Sequence, residues 1–126
     1  MSKKNLVLGS SGEEQAAGLL RANGYKIIAR NYRSRFGEID IIASESGTTC
    51  FVEVKTRQGD RFGLPQEAIT LSKKRHLSRA ALLFLKENNL LEKPARFDVV
   101  SIDSTAGSAK AELIKNAFDL DTGSSY

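Results

Sequence analysis

Four charged residues interrupt two apolar runs that otherwise have the composition of buried strands. The segment 37–57 reads GEIDIIASESGTTCFVEVKTR; its first run carries Glu38 and Asp40, and its second carries Glu53 and Lys55. Side chains alternate across a strand, so the two members of each pair lie on one face. Because an unpaired buried carboxylate is costly or changes its protonation, such a cluster requires a chemical reason.

Carboxylates gathered on adjacent strands predict a divalent-metal site for phosphodiester chemistry. Their hard oxygens are the ligands that Mg²⁺ or Mn²⁺ prefers, and a bound ion can lower the pKa of its water. Lys55 would add a positive charge near the attacking water or the phosphate oxygens. The predicted catalytic residues are therefore Asp40, Glu53 and Lys55, with the two acidic residues as metal ligands.

A third carboxylate is expected from the first helix. Two overlapping S-x-x-E patterns predict that this helix begins near Ser10–Ser11, and Gly24 suits its C-terminal end. Glu13 shares the apolar face of Leu20, which makes it a candidate metal ligand and catalytic residue, whereas Glu14 points to the side and suits the cap. The alternative is that both glutamates only favour the helix start.

The other elements are expected to cover and extend the central hairpin. Both hairpin faces are partly apolar, with Ile39, Ile41 and Ala43 predicted on one side, so helices should lie on both sides of the sheet. A short helical turn is expected at 66–69, followed by the second main helix. The latter should start at Thr70 or Ser72 and end at Asn88 or Asn89, and further strands are predicted at 25–31, 97–102 and 112–118.

Bulk properties indicate one soluble domain over residues 1–126, with 1–8 and 120–126 expected to be flexible. No apolar run reaches the roughly 18–20 residues of a membrane span. The single cysteine, Cys50, cannot form an internal disulfide, which favours the cytoplasm. The only histidine, His76, leaves histidine-rich zinc chemistry without support.

Basic residues are placed where they could contact nucleic acid. The net charge of +4 and the pI of about 9.3 are compatible with a polyanionic partner. The candidates follow the first strand, occupy the glycine-rich loop after the hairpin, or crowd the start of the second helix, where cations oppose the helix dipole. A solvated surface is the alternative for each. These residues are Arg33, Arg35, Arg57, Arg61, Lys73, Lys74 and Arg75.

Three further residues are assigned supporting roles. Glu38 starts its strand and can pair with a nearby arginine, and Gln66 and Glu67 belong to the short helical turn. Asp98 is a further carboxylate at a strand start, for which a structural pairing with Arg96 is the favoured interpretation.

The hairpin resembles the PD-(D/E)XK signature of restriction-endonuclease-like nucleases. Asp40 is followed, after twelve intervening residues, by Glu53-Val54-Lys55, and Ile39 takes the place of the proline. Glu13 matches a further acidic position of archaeal Holliday-junction resolvases. From about residue 9 to 118 the chain is also similar to the small uncharacterised bacterial YraN-type family. The shared pieces are Gly12-Glu13, Gly24-Tyr25, Arg30-Asn31, GEIDIIA, FVEVKTR, FGLPQEAI, RFDVV and NAF.

This resemblance implies a three-layer, restriction-endonuclease-like α/β domain, in which a central mixed β-sheet with an αβββαβ-like core is flanked by helices. It also implies metal ligands at Asp40 and Glu53 and a catalytic lysine at Lys55. The first functional hypothesis is a Mg²⁺- or Mn²⁺-dependent endonuclease acting on nucleic acid, DNA rather than RNA, including branched DNA in repair or recombination.

The second hypothesis is a non-catalytic nucleic-acid-binding or repair-accessory module that retains the nuclease fold. A third interpretation makes the charged residues simple ion pairs that support the hairpin. A homodimer would help a junction enzyme to cut symmetric strands, but nothing in the sequence demonstrates an oligomer.

Overall fold

The structure is a computed structural model that describes residues 2–57, 64–103 and 110–120, with side chains from Gly12 onward. The described chain contains two α-helices, five β-strands and one 3-10 turn. They are α1 (Ser2–Ala22), β1 (Lys26–Ser34), β2 (Gly37–Glu45), β3 (Thr48–Arg57), the 3-10 turn (Pro65–Ala68), α2 (Leu71–Glu87), β4 (Ala95–Asp103) and β5 (Lys110–Phe118).

The strands form one mixed sheet in the order β1-β2-β3-β4-β5. Neighbouring strands are antiparallel except for β3 and β4, which are parallel. Parallel strands need a long crossover connection, and α2 lies in the one that joins β3 to β4. The expected αβββαβ order is therefore confirmed, and β5 adds the last predicted strand at the edge.

A helix covers each face of this sheet. Adjacent residues of β3 belong to different hydrophobic clusters, since Phe51 packs with the α2 residues Leu77 and Phe84, and Val52 packs with the α1 residue Leu20. These two groups are named the α2-side and the α1-side cluster. The alternation produces the three-layer α/β/α architecture that the two-sided apolar hairpin predicted.

The first helix begins earlier than the sequence predicted. The backbone is helical from Ser2, so Ser10 and Ser11 lie inside α1 and the predicted start there is wrong. A capping pattern marks a start only if the preceding residues leave the helix, and the preceding KKNLVL contains good helix formers. Residues 121–126 of the expected flexible tail lie outside the described residues.

The second helix follows its prediction closely. Thr70 is the N-cap, and its Oγ1 accepts a hydrogen bond from the Lys73 backbone N–H at 3.1 Å. The helix ends at Glu87, with Asn88 as its C-cap. Neither this helix nor α1, over the residues described, is long and apolar enough to cross a membrane.

One predicted face of the hairpin is only partly correct. Ile41 and Ala43 pack in the α1-side cluster together with Cys50, which is fully buried. Ile39 instead packs in the α2-side cluster with Ile42. The regular β2–β3 register begins at Ile41, so strict alternation stops applying just before it.

The predicted structural role of Asp98 is confirmed. This carboxylate is fully buried and accepts hydrogen bonds from Tyr25 Oη at 2.7 Å, from Arg96 Nε at 3.0 Å and from the Asn116 backbone N–H at 2.9 Å. Arg96 also pairs with Glu45. Strands β4 and β5 and the start of β1 are thereby joined through one saturated polar network.

Candidate active site

The candidate site lies where β2 and β3 separate. Their backbone register runs from the Glu45–Thr48 pair only as far as the Ile41–Val52 pair. Beyond this point, Asp40 Oδ2 accepts a hydrogen bond from the Val54 backbone N–H at 2.8 Å. A carboxylate thus replaces a main-chain acceptor, which fixes Asp40 to the neighbouring strand at the position where strand pairing ends.

Glu53 lies close by and is only 8% exposed. Its Oε2 is 3.6 Å from Lys73 Nζ, while its Oε1 is buried and has no hydrogen-bond partner among the residues that the structure describes. A buried acceptor left unsatisfied costs about 1–3 kcal/mol, and more when it is charged. The site therefore contains a carboxylate oxygen whose bonding is incomplete.

The electrostatics of Glu53 link it to both predicted partners. Burial and the negative charge of Asp40 together raise the pKa of Glu53 to about 7, although the positive charges of Lys73 and Lys55 act in the opposite direction. A pair of neighbouring carboxylates with a raised pKa in a nearly buried position is a candidate functional site. The charges of Asp40 and Lys55 thus both act on Glu53.

Lys73 has a position that sequence reasoning missed. It was predicted among the nucleic-acid contacts, but its ammonium group pairs with Glu53. The sequence contained half of the signal, because cations in the first turn of a helix oppose the helix dipole and suggest a nearby anion. The identity of that anion depends on how α2 packs against β3, which no local pattern specifies.

Glu13 and Glu14 do not take the expected positions. Glu13 Oε1 is 3.5 Å from Asn31 Nδ2 in β1, and Glu14, expected to cap the helix, pairs with Arg30 instead. The Arg30 guanidinium lowers the pKa of Glu14. Within the described ranges, no group of three or more histidine, cysteine, aspartate or glutamate side chains is arranged to hold a metal ion. Glu13 is therefore not gathered with Asp40 into a three-carboxylate group.

The supporting residues have different environments. Glu38 accepts a hydrogen bond from Arg33 Nε at 3.4 Å in an exposed ion pair, as expected for a strand start. Glu67 Oε1 accepts one from the Leu64 backbone N–H at 3.0 Å and so closes the 3-10 turn. Gln66 Oε1 is buried and, like the Glu53 oxygen, has no partner among the described residues.

The predicted nucleic-acid residues are spread over the described surface. The Arg35 guanidinium lies 4.8 Å from the centre of the Phe36 ring, and Lys74 Nζ lies 5.5 Å from that of Phe118. Arg57 ends β3, and Arg75 is exposed in the first turns of α2. Arg61 falls outside the described residues. His76, on the same turns of α2, is exposed as predicted.

Comparison with known proteins identifies the family. The model of the uncharacterised protein family UPF0102 matches residues 12–102, which include the hairpin and α2. A UPF0102 protein of Syntrophus aciditrophicus (strain SB) is 46% identical over 120 residues, covering 95% of this chain and 94% of its own. UPF0102 protein STH1475 of Symbiobacterium thermophilum is 50% identical over 112 residues, covering 88% and 95% respectively.

Among solved structures, the crystal structure of SSO0001 aligns with a TM-score of 0.41 at 20% identity, covering 91% of this chain and 54% of that one. The family match and the curated relatives extend over most of the chain at much higher identity. The chain belongs to the uncharacterised protein family UPF0102.

Proposed function

We propose that this protein is a metal-dependent endonuclease that hydrolyses phosphodiester bonds in nucleic acid, with DNA as the preferred substrate and the cytoplasm as its compartment. The observation that carries the proposal is the incompletely bonded Glu53 beside Asp40. Buried polar groups that serve the fold are normally satisfied, so an exception calls for a functional explanation. The resemblance of the hairpin to the PD-(D/E)XK signature supports the same chemistry.

The residues present fit Mg²⁺ or Mn²⁺. Asp40 and Glu53 would hold the ion, and Glu53 Oε1 is a hard donor without another partner in the described residues. Mg²⁺ commonly takes only one or two carboxylates from a protein and completes its shell with water and substrate phosphate, so a third acidic ligand is not required. When bound, the ion would supply a water of lowered pKa and neutralise charge on the phosphate.

The protein's own contribution is positioning and charge. The Val54 N–H holds Asp40 in place before any ligand arrives, which avoids reorganisation during the reaction. Lys55 follows Glu53 at the strand spacing that keeps both side chains on one face. Its ammonium group would stabilise the negative charge that develops on the phosphate oxygens.

Binding of the substrate backbone is assigned to four of the predicted basic residues. Lys74 and Arg75 lie in the first turns of α2, Arg33 lies near the end of β1, and Arg35 lies in the β1–β2 turn. Phosphate contacts of this kind carry no sequence information, and they weaken as salt concentration rises. We therefore expect salt-sensitive binding with little sequence preference.

A cleavage assay tests the proposal. Duplex, single-stranded and four-way-junction DNA, and a matching RNA, are incubated with the protein in Mg²⁺ or Mn²⁺. Asp40→Asn and Glu53→Gln keep the side-chain shapes and should reduce cleavage by at least about 100-fold. Glu92→Gln, which makes the same chemical change at an exposed turn, should cleave normally. Undiminished cleavage by both site variants would contradict the assignment.

A non-catalytic nucleic-acid-binding or repair-accessory module is the second candidate. It is favoured by the separation of Glu13 from the other acidic residues, since its carboxylate bonds Asn31 instead. Tight, salt-sensitive binding of DNA without cleavage in any divalent metal would select this function, including a role at branched DNA.

A further inference from the structure

The ion pair between Lys73 and Glu53 is loose. The Lys73 side chain is 45% exposed, and its Nζ lies 3.6 Å from Glu53 Oε2. A charge-assisted hydrogen bond between an ammonium group and a carboxylate is usually about 2.7–2.9 Å long. Lys73 therefore compensates the charge of a nearly buried carboxylate without forming a short hydrogen bond to it. Its flexible side chain is already partly in contact with solvent.

We propose that Lys73 is a built-in competitor of the divalent cation, pairing with Glu53 while the metal site is empty and leaving when the ion binds. This inference rests on the proposed metal site. A divalent ion held by Glu53 would lie within a few ångströms of the Lys73 ammonium group, and repulsion between the two cations would weaken the Lys73–Glu53 pair. The backbone of α2 need not move, since the Thr70 cap holds the Lys73 N–H separately.

The displaced ammonium group acquires a second role. It belongs to the first turn of α2, beside Lys74 and Arg75, at the end of a helix where an anion is favoured. A backbone phosphate of the nucleic acid is the anion that the proposed function supplies. Phosphate contact draws Lys73 away from Glu53, and metal binding pushes it towards the phosphate, so the two ligands should strengthen each other's binding.

The first test measures Mn²⁺ affinity by calorimetry in the absence of nucleic acid. Lys73→Met removes the competing charge and keeps the apolar stem, so Mn²⁺ should bind about tenfold more tightly than to the unmodified protein. Lys86→Met makes the same change in the last turn of α2, about 20 Å along the helix from Lys73, and should stay within about twofold. Circular-dichroism melting checks that both variants are folded.

The second test uses a double-mutant cycle on the affinity for a short DNA duplex in EDTA. Glu53→Gln should release Lys73 and tighten DNA binding by about fivefold, and this gain should be much smaller in a Lys73→Met background. Loss of the carboxylate charge is common to both backgrounds, so the difference isolates the lysine. Equal gains in the two backgrounds would overturn the inference.

The outcomes separate this inference from the proposed function. If no variant and not even the unmodified protein binds Mn²⁺, both fail. If Mn²⁺ binds and Asp40→Asn weakens it, but Lys73→Met binds no more tightly than Lys86→Met, then the metal site stands and the competitor role of Lys73 is wrong.

Discussion

Two buried carboxylates in neighbouring strands have opposite surroundings. Asp98 in β4 pairs in register with Val52, the residue that precedes Glu53 in β3. Asp98 accepts three hydrogen bonds, from two side chains and one backbone N–H. Glu53 has one loose ion pair and one oxygen without a partner in the described chain. Burial is common to both residues, so burial alone does not mark a functional carboxylate.

The difference lies in what each carboxylate does without a ligand. The Asp98 network joins β1, β4 and β5 and needs nothing further. Glu53 and Asp40 raise the free energy of the unliganded protein, because their charges repel each other and Glu53 is nearly buried. A site that stores unfavourable charge in this way is stabilised when a cation binds.

The largest effect is expected from Asp98→Ala. This change removes one of the two carboxylates that pair with Arg96 and leaves the Tyr25 hydroxyl without its acceptor. Removing one partner of a buried ionic network costs about 3–5 kcal/mol. Urea denaturation should therefore show a loss of that size in the free energy of unfolding. A loss below about 1 kcal/mol would mean that Asp98 is no more important for stability than Glu53, which would contradict the comparison.

Glu53→Gln should change the free energy of unfolding in the opposite direction and stabilise the protein. The amide is isosteric but uncharged, so it removes the repulsion with Asp40 and the cost of burying the charge. At pH 8 without metal, the free energy of unfolding should rise by about 1–3 kcal/mol, while the cleavage activity proposed above is lost. A destabilised variant under these conditions would mean that Glu53 is a structural residue like Asp98.

A smaller change in the free energy of unfolding is expected from a change in pH. Because the pKa of Glu53 is raised to about 7 in the folded protein, the folded state binds more protons than the unfolded state between about pH 4.5 and 7. The contribution of Glu53 is therefore fully present below pH 4.5 and is lost as the pH rises through 7. Relative to Glu53→Gln, the metal-free protein should lose about 1–2 kcal/mol between pH 5 and 8.

Denaturation at several pH values, with Glu53→Gln as the matched reference, checks this slope. Asp40, Lys55 and Lys73 are present in both proteins, so the comparison reports on the one carboxyl group that differs. A difference that stays constant across this range would contradict the raised pKa of Glu53.

Alternation along β2 and β3 was sufficient to predict strands covered by helices on both faces and to place Glu53 and Lys55 on one face, because side-chain direction in a strand depends on neighbouring residues. The αβββαβ order and the mixed sheet were implied by the resemblance to the nuclease signature and not by a local pattern. The catalytic roles of Asp40, Glu53 and Lys55 stay predictions. The start of α1 was wrong because a capping pattern says nothing about whether the preceding residues are helical.

Contacts between distant elements could not be predicted from the sequence. The pairing of Lys73 with Glu53 depends on the angle at which α2 crosses the sheet, and the bond from Glu13 to Asn31 depends on how α1 lies against β1. Ile39 packs on the side opposite to its prediction, at a point where the regular β2–β3 register has ended. Each incorrect prediction concerns a tertiary contact that no single segment of the sequence determines.

The fully buried Cys50 gives the central strands an internal reporter of their opening. It lies in β3 opposite Ala43 of β2, and burial raises the pKa of its thiol to about 12. A thiol reagent needs the thiolate and physical access, both of which are denied in the closed sheet. The labelling rate of this single thiol therefore reports openings that expose β3, whether α1 leaves the sheet or the β2–β3 pair separates.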